Sequence, residues 1–335
     1  MSKNKKRTLV GLLLVVVVAL GAGFNLRSTG AAPQALRGEM AEPLSYYYGT
    51  ASWFCCGDAY GPCGDAGGGS CGDCQSGSYH AAWPKLKRPG YPDCDHSGCG
   101  MSLPWKYCGD SITVKSLCSN DSVTAYVHDC GPDQQNYCDM SVACGSCGSD
   151  CSALVDLTPA AFSAIEDLDL GRIPARVSAS GKSKGETTFL GGIVSRVEKD
   201  RLIIESRQLV STLYITDDTR LWKGKVVSLN QIEPGDKIFA RAVPRAGREF
   251  TATKVWVNIG NVYGVLVEKK DNILVLRIGG PDSKSVLTVH IDADTLLNEV
   301  RGVDLSALSL GQPMQALGVY QRDGSLLATR LWTSK

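Results

Sequence analysis

The sequence predicts a mainly β protein: a cysteine-rich small barrel with one short helix, then two copies of one small β unit, behind a hydrophobic N-terminal helix. Three observations carry this. All 14 cysteines lie between Cys55 and Cys151, and none lies in the C-terminal half. Beyond the middle of the chain the sequence repeats itself, at a constant spacing of 76 residues after the first matched strand. The apolar runs are short and alternating, in a chain with 37 glycines, which favours turn-rich β structure over helical bundles.

The N-terminus reads as an export address. Lys3, Lys5, Lys6 and Arg7 precede an uncharged apolar run from Leu9 to Phe24, a positive n-region followed by an h-region. Ala19-Leu20-Gly21-Ala22-Gly23 offers small residues to a peptidase, and the run is slightly short for a span of ~20 residues. Residues 1–24 are therefore expected to be a signal peptide or an uncleaved single-pass anchor. The body lies outside the cytoplasm in either case. Residues 25–45 contain Gly, Pro and Ala without hydrophobic periodicity and read as a spacer. A formal charge of +1 argues against a general nucleic-acid binder, which needs a basic surface.

Downstream of an export signal, an even number of closely packed cysteines reads as a disulfide framework. Cys55, Cys56, Cys63, Cys71, Cys74, Cys94, Cys99, Cys108, Cys118, Cys130, Cys138, Cys144, Cys147 and Cys151 are all expected in bridges, with the pairing left open. Each bridge contributes ~2–4 kcal/mol by restricting the unfolded chain. Loops such as Gly67-Gly68-Gly69 are then tolerated with little core of their own. The competing reading is zinc, because Cys71-Gly72-Asp73-Cys74 and Cys144-Gly145-Ser146-Cys147 each have the spacing of half a zinc site. The export signal favours disulfides, and neither metal nor cofactor is expected.

Residues 46–178 form the first folded region. The aromatic and β-branched run from Tyr46 to Phe54 predicts a strand, as do Ser111–Lys115 and Val123–Val127, with cysteine-pinned loops from Cys55 to Cys108. Val127 leads into His128-Asp129-Cys130-Gly131-Pro132. Thr158 is a good N-cap and Pro159 suits the first helical position. Ala161, Phe162, Ile165 and Leu168 then recur at helical spacing, Gly171 ends the helix, and Ile173–Val177 reads as the closing strand. Asp129 and Asp156 stand at strand ends, which points to a site built on a small barrel. Residues 179–188 are polar and read as a linker.

Beyond the linker the first copy spans 189–258 and the second 259–335. Gly192-Ile193-Val194-Ser195-Arg196-Val197-Glu198-Lys199 matches Gly264-Val265-Leu266-Val267-Glu268-Lys269-Lys270, and Ala252-Thr253-Lys254-Val255-Trp256 matches Ala328-Thr329-Arg330-Leu331-Trp332. Asp218 and Asp294, Gly235 and Gly311, and Ala252 and Ala328 are each 76 positions apart. Alternating runs such as Arg201–Glu205 and Asn272–Arg277 support short strands closing into small barrels or sandwiches. Trp256 and Trp332 occupy equivalent places, as core or as ligand platforms, and His290 aligns with Tyr214 as a strand position. This half holds no acid pair, nucleophile arrangement or phosphate loop and reads as a binding or spacing module.

Several of these segments resemble, in order, the double-psi β-barrel superfamily of expansins, barwin-like proteins, family-45 endoglucanases and rare lipoprotein A, over residues 49–178. Val155-Asp156-Leu157-Thr158-Pro159-Ala160-Ala161-Phe162, with Gly171-Arg172-Ile173-Pro174-Ala175-Arg176-Val177, resembles the expansin pattern of Asp-Leu-Ser, short helix and closing strand. Val127-His128-Asp129-Cys130-Gly131-Pro132 is similar to the Asn-Asp-Arg-Gly-Pro of rare lipoprotein A, and Gly49-Thr50-Ala51-Ser52-Trp53-Phe54 to the opening strand. The resemblance implies a six-stranded double-psi barrel. The repeats resemble small tandem β-barrels of unknown function, OB-like in look, found in exported bacterial proteins.

By the same resemblance Asp156 falls on the catalytic acid of the endoglucanases, and Asp129 on the aspartate of the lipoprotein motif. Trp53, Tyr126, Trp105 and Asp58 are further candidates for contacting substrate. The pattern is also broken. Where the endoglucanases carry a general base, Phe54 precedes Cys55-Cys56 with only Asp58 nearby. Where rare lipoprotein A has a histidine before Leu-Pro, Leu103-Pro104 follows Gly100-Met101-Ser102, so that His80, His96 or His128 would have to substitute.

Three readings follow. One is an exported protein that binds cell-wall polysaccharide or peptidoglycan, loosening it or cleaving it weakly with Asp156 as acid. The second is a disulfide-braced binding or structural protein without chemistry, and the third a peptidoglycan lytic transglycosylase. In each, the membrane is met only through the N-terminal segment.

Overall fold

The computed structural model describes residues 46–88, 90–96, 103–132, 153–178, 188–206, 209–279 and 283–333. The expected signal or anchor, the spacer, most of the linker and Cys99, Cys138, Cys144, Cys147 and Cys151 lie outside the described residues. Among the described residues, no helix is long and apolar enough to cross a membrane.

Short strands with long buried runs build the barrel. Its strands are β1 (Tyr46–Trp53), β2 (His80–Trp83), β3 (Ser111–Ser116), β4 (Ser122–Cys130), β5 (Ala153–Leu157) and β6 (Arg172–Ser178), closed in the order β1-β5-β2-β4-β3-β6. β1 with β5, and β2 with β4, run parallel; every other neighbouring pair is antiparallel. Trp53, Ile112, Val114, Val123, Val127, Leu157 and Val177 fill the interior. This is the mainly β, six-stranded architecture the sequence predicts.

Two local expectations change. His80–Trp83, read as loop, is a central strand paired on both edges. Its His-Ala-Ala-Trp sequence has no β-branched residue, so position between two strands, not propensity, fixes it. The helix α1 covers only Pro159–Ser163. Thr158 stands at its N-cap, yet its side chain makes no capping bond; the hydroxyl donates to the Ser78 carbonyl. A 3-10 turn at Leu168–Leu170 and Gly171, at φ +69°, complete the passage into β6.

Bridges Cys55–Cys63, Cys56–Cys74, Cys71–Cys108 and Cys94–Cys130 pin the loops around β2 and β4, and Cys118 is also disulfide-bonded. Cys71 and Cys74 go to different partners, which removes the zinc reading of that pair.

The C-terminal half holds two sheets of like topology. The first comprises β7 (Thr188–Val197), β8 (Arg201–Ser206), β9 (Leu209–Tyr214), β10 (Arg220–Trp222), β11 (Lys237–Pro244) and β12 (Glu249–Val257), in the order β9-β8-β7-β11-β12-β10. The second comprises β13 (Ile259–Lys270), β14 (Ile273–Arg277), β15 (Val286–His290), β16 (Leu296–Leu297), β17 (Val300–Arg301), β18 (Pro313–Tyr320) and β19 (Leu326–Thr333), in the order β15-β14-β13-β18-β19-β16-β17. Extra pairings of β9 with β12 and of β15 with β19 close a ring of five strands in each.

Both units grip the barrel at the turn before β6. Lys254 of β12 is buried and pairs with Asp167 and Asp169, while the Trp256 indole N–H donates to Asp169 Oδ1 at 3.0 Å. Arg220 reaches the same two aspartates at 2.9 and 3.1 Å. Trp332, equivalent to Trp256, packs on Gly171, where a Cβ would stand 2.6 Å from its ring. Trp222, Phe239, Trp256, Leu317, Val319 and Trp332 thus join the barrel's own core, and Pro43–Lys335 forms one compact unit. Trp256 and Trp332 are 0% and 7% exposed, which leaves no ligand platform there.

Candidate functional site

One register row crosses five of the six barrel strands. Arg172 on β6 pairs with Ser52 on β1, Ser52 with Asp156 on β5, Asp156 with Ala82 on β2, and Ala82 with Asp129 on β4. Laterally paired residues share a face. Their chain neighbours Ala51, Trp53, Val155, Leu157, Ala81 and Trp83 are buried, so the row lies on the outer wall.

Asp156 is the centre of this wall. The Ser52 hydroxyl donates to its Oδ1, and the Tyr263 hydroxyl of β13 stands 2.7 Å from Ser52 Oγ. Burial pushes the Asp156 carboxyl up to about 6, against the Ser52 hydrogen bond and the Arg172 charge, and the Asp129 charge adds to the rise. Arg172 itself donates to Thr50 Oγ1 at 3.2 Å. The carboxylate is therefore bound across strands and does not serve the start of α1. β13 lays a polar edge along the same place: Asn261 Nδ2 donates to the Trp53 carbonyl at 2.5 Å, and Gln315 Nε2 to Asn261 Oδ1 at 2.8 Å.

Asp129 is differently employed. Its Oδ1 accepts from the Ser70 N–H at 2.8 Å and the Cys130 N–H at 2.7 Å, so one oxygen holds a loop and a turn. Gly69, at φ +66°, lets that loop approach; a Cβ there would be 3.0 Å from Asp129 Cγ.

The remaining candidates separate. Trp53 is fully buried and donates its indole N–H to the Leu168 carbonyl at 2.9 Å; it is core, and a sugar cannot reach it. Asp58 is exposed on the loop between Cys55 and Cys63 and is not among the charges acting on Asp156. Tyr126 is 48% exposed on β4, opposite His80. Trp105 is 38% exposed under the ammonium groups of Lys85 and Lys87, at 5.6 and 5.3 Å, next to a separate short sheet of Lys85–Lys87, Cys94–Asp95 and Lys106–Tyr107.

The fold adds a histidine pair that spacing did not favour. The pairing of β2 with β4 skips His128, and this bulge lets His128 and Asp129 share the outer wall. His128 stacks on His80 with ring centroids 3.8 Å apart and bonds Asp73 Oδ1 at 2.6 Å through Nδ1. His80 Nδ1 accepts from the Gln75 N–H at 3.1 Å. Burial, then the charge of His128, push His80 down to about 4, with Asp73 acting in the opposite sense. His96 is exposed, beside the Cys94–Cys130 bridge. Tyr263 is the other residue the sequence reading did not single out. Its signal was the repeat itself, because the alignment of Gly192 with Gly264 sets Tyr263 against Gly191.

No protein-family model matches the chain, and no curated protein does. Among solved structures it is similar to a Streptomyces papain inhibitor at 17% identity, TM-score 0.22, over 40% of this chain and 93% of that one. It is also similar to the expansin of Clavibacter michiganensis without ligand, at 12% identity and TM-score 0.23, over 85% of this chain and 98% of that one. A mutant of that expansin solved in complex with cellohexaose gives 12% identity and a TM-score of 0.24 over the same shares. At these scores the likenesses add nothing to what the strand order shows.

Proposed function

We propose that the protein is an exported polysaccharide-binding protein that engages cell-wall glycan along the outer wall of its barrel, loosening it or cleaving it weakly with Asp156 as the acid. The observation that carries this reading is the Asp156 carboxyl, held across strands by Ser52 and pushed up to about 6. A carboxyl in that range can protonate a glycosidic oxygen under mildly acidic conditions. The disulfide-braced loops and the sequence resemblance support the exported setting.

Efficient inversion needs a second carboxylate roughly 6.5–9.5 Å away to activate water. Asp129 is two strand spacings from Asp156, roughly 9–10 Å, and only its second oxygen is free of the backbone contacts that hold Oδ1. Binding with weak cleavage fits this better than efficient hydrolysis. A lytic transglycosylase is the second reading, because one acid suffices when the sugar's own hydroxyl attacks.

The test incubates the protein with insoluble peptidoglycan and with β-glucans. Sedimentation with a wall fraction is expected, and any anhydro-muropeptides or new reducing ends should fall in Asp156→Asn. Equal release by wild type and variant sinks the cleavage reading. Failure to sediment with every fraction sinks the binding reading.

A further inference from the structure

We infer that Tyr263, from the second repeat, is a working part of the barrel's carboxylate site, its exposed ring a platform for a sugar ring and its hydroxyl positioning Asp156 through Ser52. The inference rests on the glycan-binding reading above for its first half and on geometry alone for its second.

The hydroxyl comes first. Ser52 has one proton, and it goes to Asp156 Oδ1. While the carboxylate is charged, the short contact between Ser52 Oγ and the Tyr263 hydroxyl, 2.7 Å, therefore has tyrosine as donor. The result is a two-link relay, Tyr263 to Ser52 to Asp156, spanning 211 residues of sequence between its first two members. Such a chain polarises along its length and favours the ionised carboxylate. Burial and the Asp156 charge push the Tyr263 phenol up, so it stays a donor across the physiological range.

The ring comes second. Although the hydroxyl is inserted against Ser52, 45% of the Tyr263 surface is exposed. An aromatic ring beside a carboxylic acid is the pairing a pyranose uses, with its apolar face stacked and an oxygen near the acid.

The equivalent position in the first repeat shows that the fold does not require this tyrosine. In register, Tyr263 pairs with Gln315 and Gln315 with Trp332; the corresponding row is Gly191, Phe239 and Trp256. The same strand position thus carries a glycine where it meets the Tyr60 ring and a tyrosine where it reaches Ser52 beside Asp156. Gly191 is in fact filled from the barrel side, because a Cβ there would stand 2.6 Å from the Tyr60 ring.

The experiment uses the full chain as wild type, Tyr263→Phe, Tyr263→Ala, Ser52→Ala and the double variant Ser52→Ala with Tyr263→Phe. Two readouts are taken: the titration midpoint of the Asp156 carboxyl by carbon-13 NMR, and sedimentation with insoluble peptidoglycan and with insoluble β-glucan. Tyr263→Phe should keep binding within about twofold and raise the midpoint by roughly 0.5 to 1 pH unit, the worth of one weakened hydrogen bond. Ser52→Ala should raise it at least as far, and the double variant no further, the non-additivity of a relay. Tyr263→Ala should weaken binding roughly 5- to 30-fold and, by admitting water, lower the midpoint.

Unmoved midpoints in Tyr263→Phe and Tyr263→Ala overturn the positioning role. Unchanged sedimentation of Tyr263→Ala, where wild type binds, overturns the platform. If wild type sediments with neither glycan, the proposed function fails together with the platform, and the midpoints still decide the positioning role.

Discussion

The two C-terminal units share a strand order and bring different rows of side chains to the barrel. The first brings the row Gly191, Phe239 and Trp256. Phe239 packs at 6.5 Å from Trp53 and 6.1 Å from Tyr60, between ring centroids. The second brings Tyr263, Gln315 and Trp332; Tyr263 and its strand neighbour Asn261 hydrogen-bond Ser52 and the Trp53 carbonyl, while Trp332 packs on Gly171.

The carboxylates under them differ accordingly. At Asp169, burial works to raise the pKa, but the charge and hydrogen bond of Lys254, the Trp256 N–H and Arg220 outweigh it and hold the group below its ordinary value. At Asp156 only Ser52 and the Arg172 charge oppose burial, and the group ends at about 6. One buried carboxylate is locked as a structural anion, and the other is left able to take a proton. Two sheets of like topology supply a brace on one side and a site wall on the other.

The largest effect should come from the brace. Phe239→Ala empties a fully buried position and should cost about 3–5 kcal/mol in denaturant unfolding. A loss below about 1 kcal/mol would mean that the first repeat does not share the barrel's core.

The site side should show itself in pH. Asp156 is raised from 3.8 to about 6, so its contribution to stability is fully present below about pH 4 and is lost as pH rises through 6. His80 is lowered from 6.5 to about 4, so its contribution is present above 6.5 and is lost as pH falls through 4. Each slope amounts to at most about 3 kcal/mol, less where solvent screens it. They oppose each other in the same window. Wild-type stability should be nearly flat there, Asp156→Asn should become acid-labile between pH 6.5 and 4, and His80→Gln should become more stable on acidification. Thermal unfolding across that range reads all three, and parallel profiles would refute the opposition.

Smaller effects sharpen the contrast within the row. Gly191→Ala drives a methyl into the Tyr60 ring and should cost about 1–3 kcal/mol. Gln315→Leu leaves the Asn261 side-chain oxygen without its donor, for about 1–3 kcal/mol by denaturation. Tyr263→Phe should be the mildest, under about 1.5 kcal/mol, because its ring is already exposed; a larger loss would make Tyr263 a brace like Phe239.

How much of this was legible follows from sequence distance. The first barrel strand announced itself by its aromatic and β-branched run, strands of the C-terminal units by alternation, and Asp156 by the Val-Asp-Leu-Thr-Pro run beside a short helix. β2 did not, because Ala81 and Ala82 are buried by their neighbours and not by their own preference. Trp53 looked like a sugar platform because an aromatic in a strand does not declare which face it takes. The stacking of His80 on His128 needs a bulge, and the contact of Tyr263 with Ser52 needs two units to dock, neither of which a local pattern encodes. The repeat alignment held the one hint, a tyrosine where its twin has glycine.

The central claim is that the site wall under the second repeat holds Asp156 as a protonatable acid. Its most direct test is the carbon-13 carboxyl titration of Asp156 in the wild-type chain, assigned by the resonance lost in Asp156→Asn. The account requires a midpoint at about 6. A midpoint at the ordinary 3.8 would contradict it.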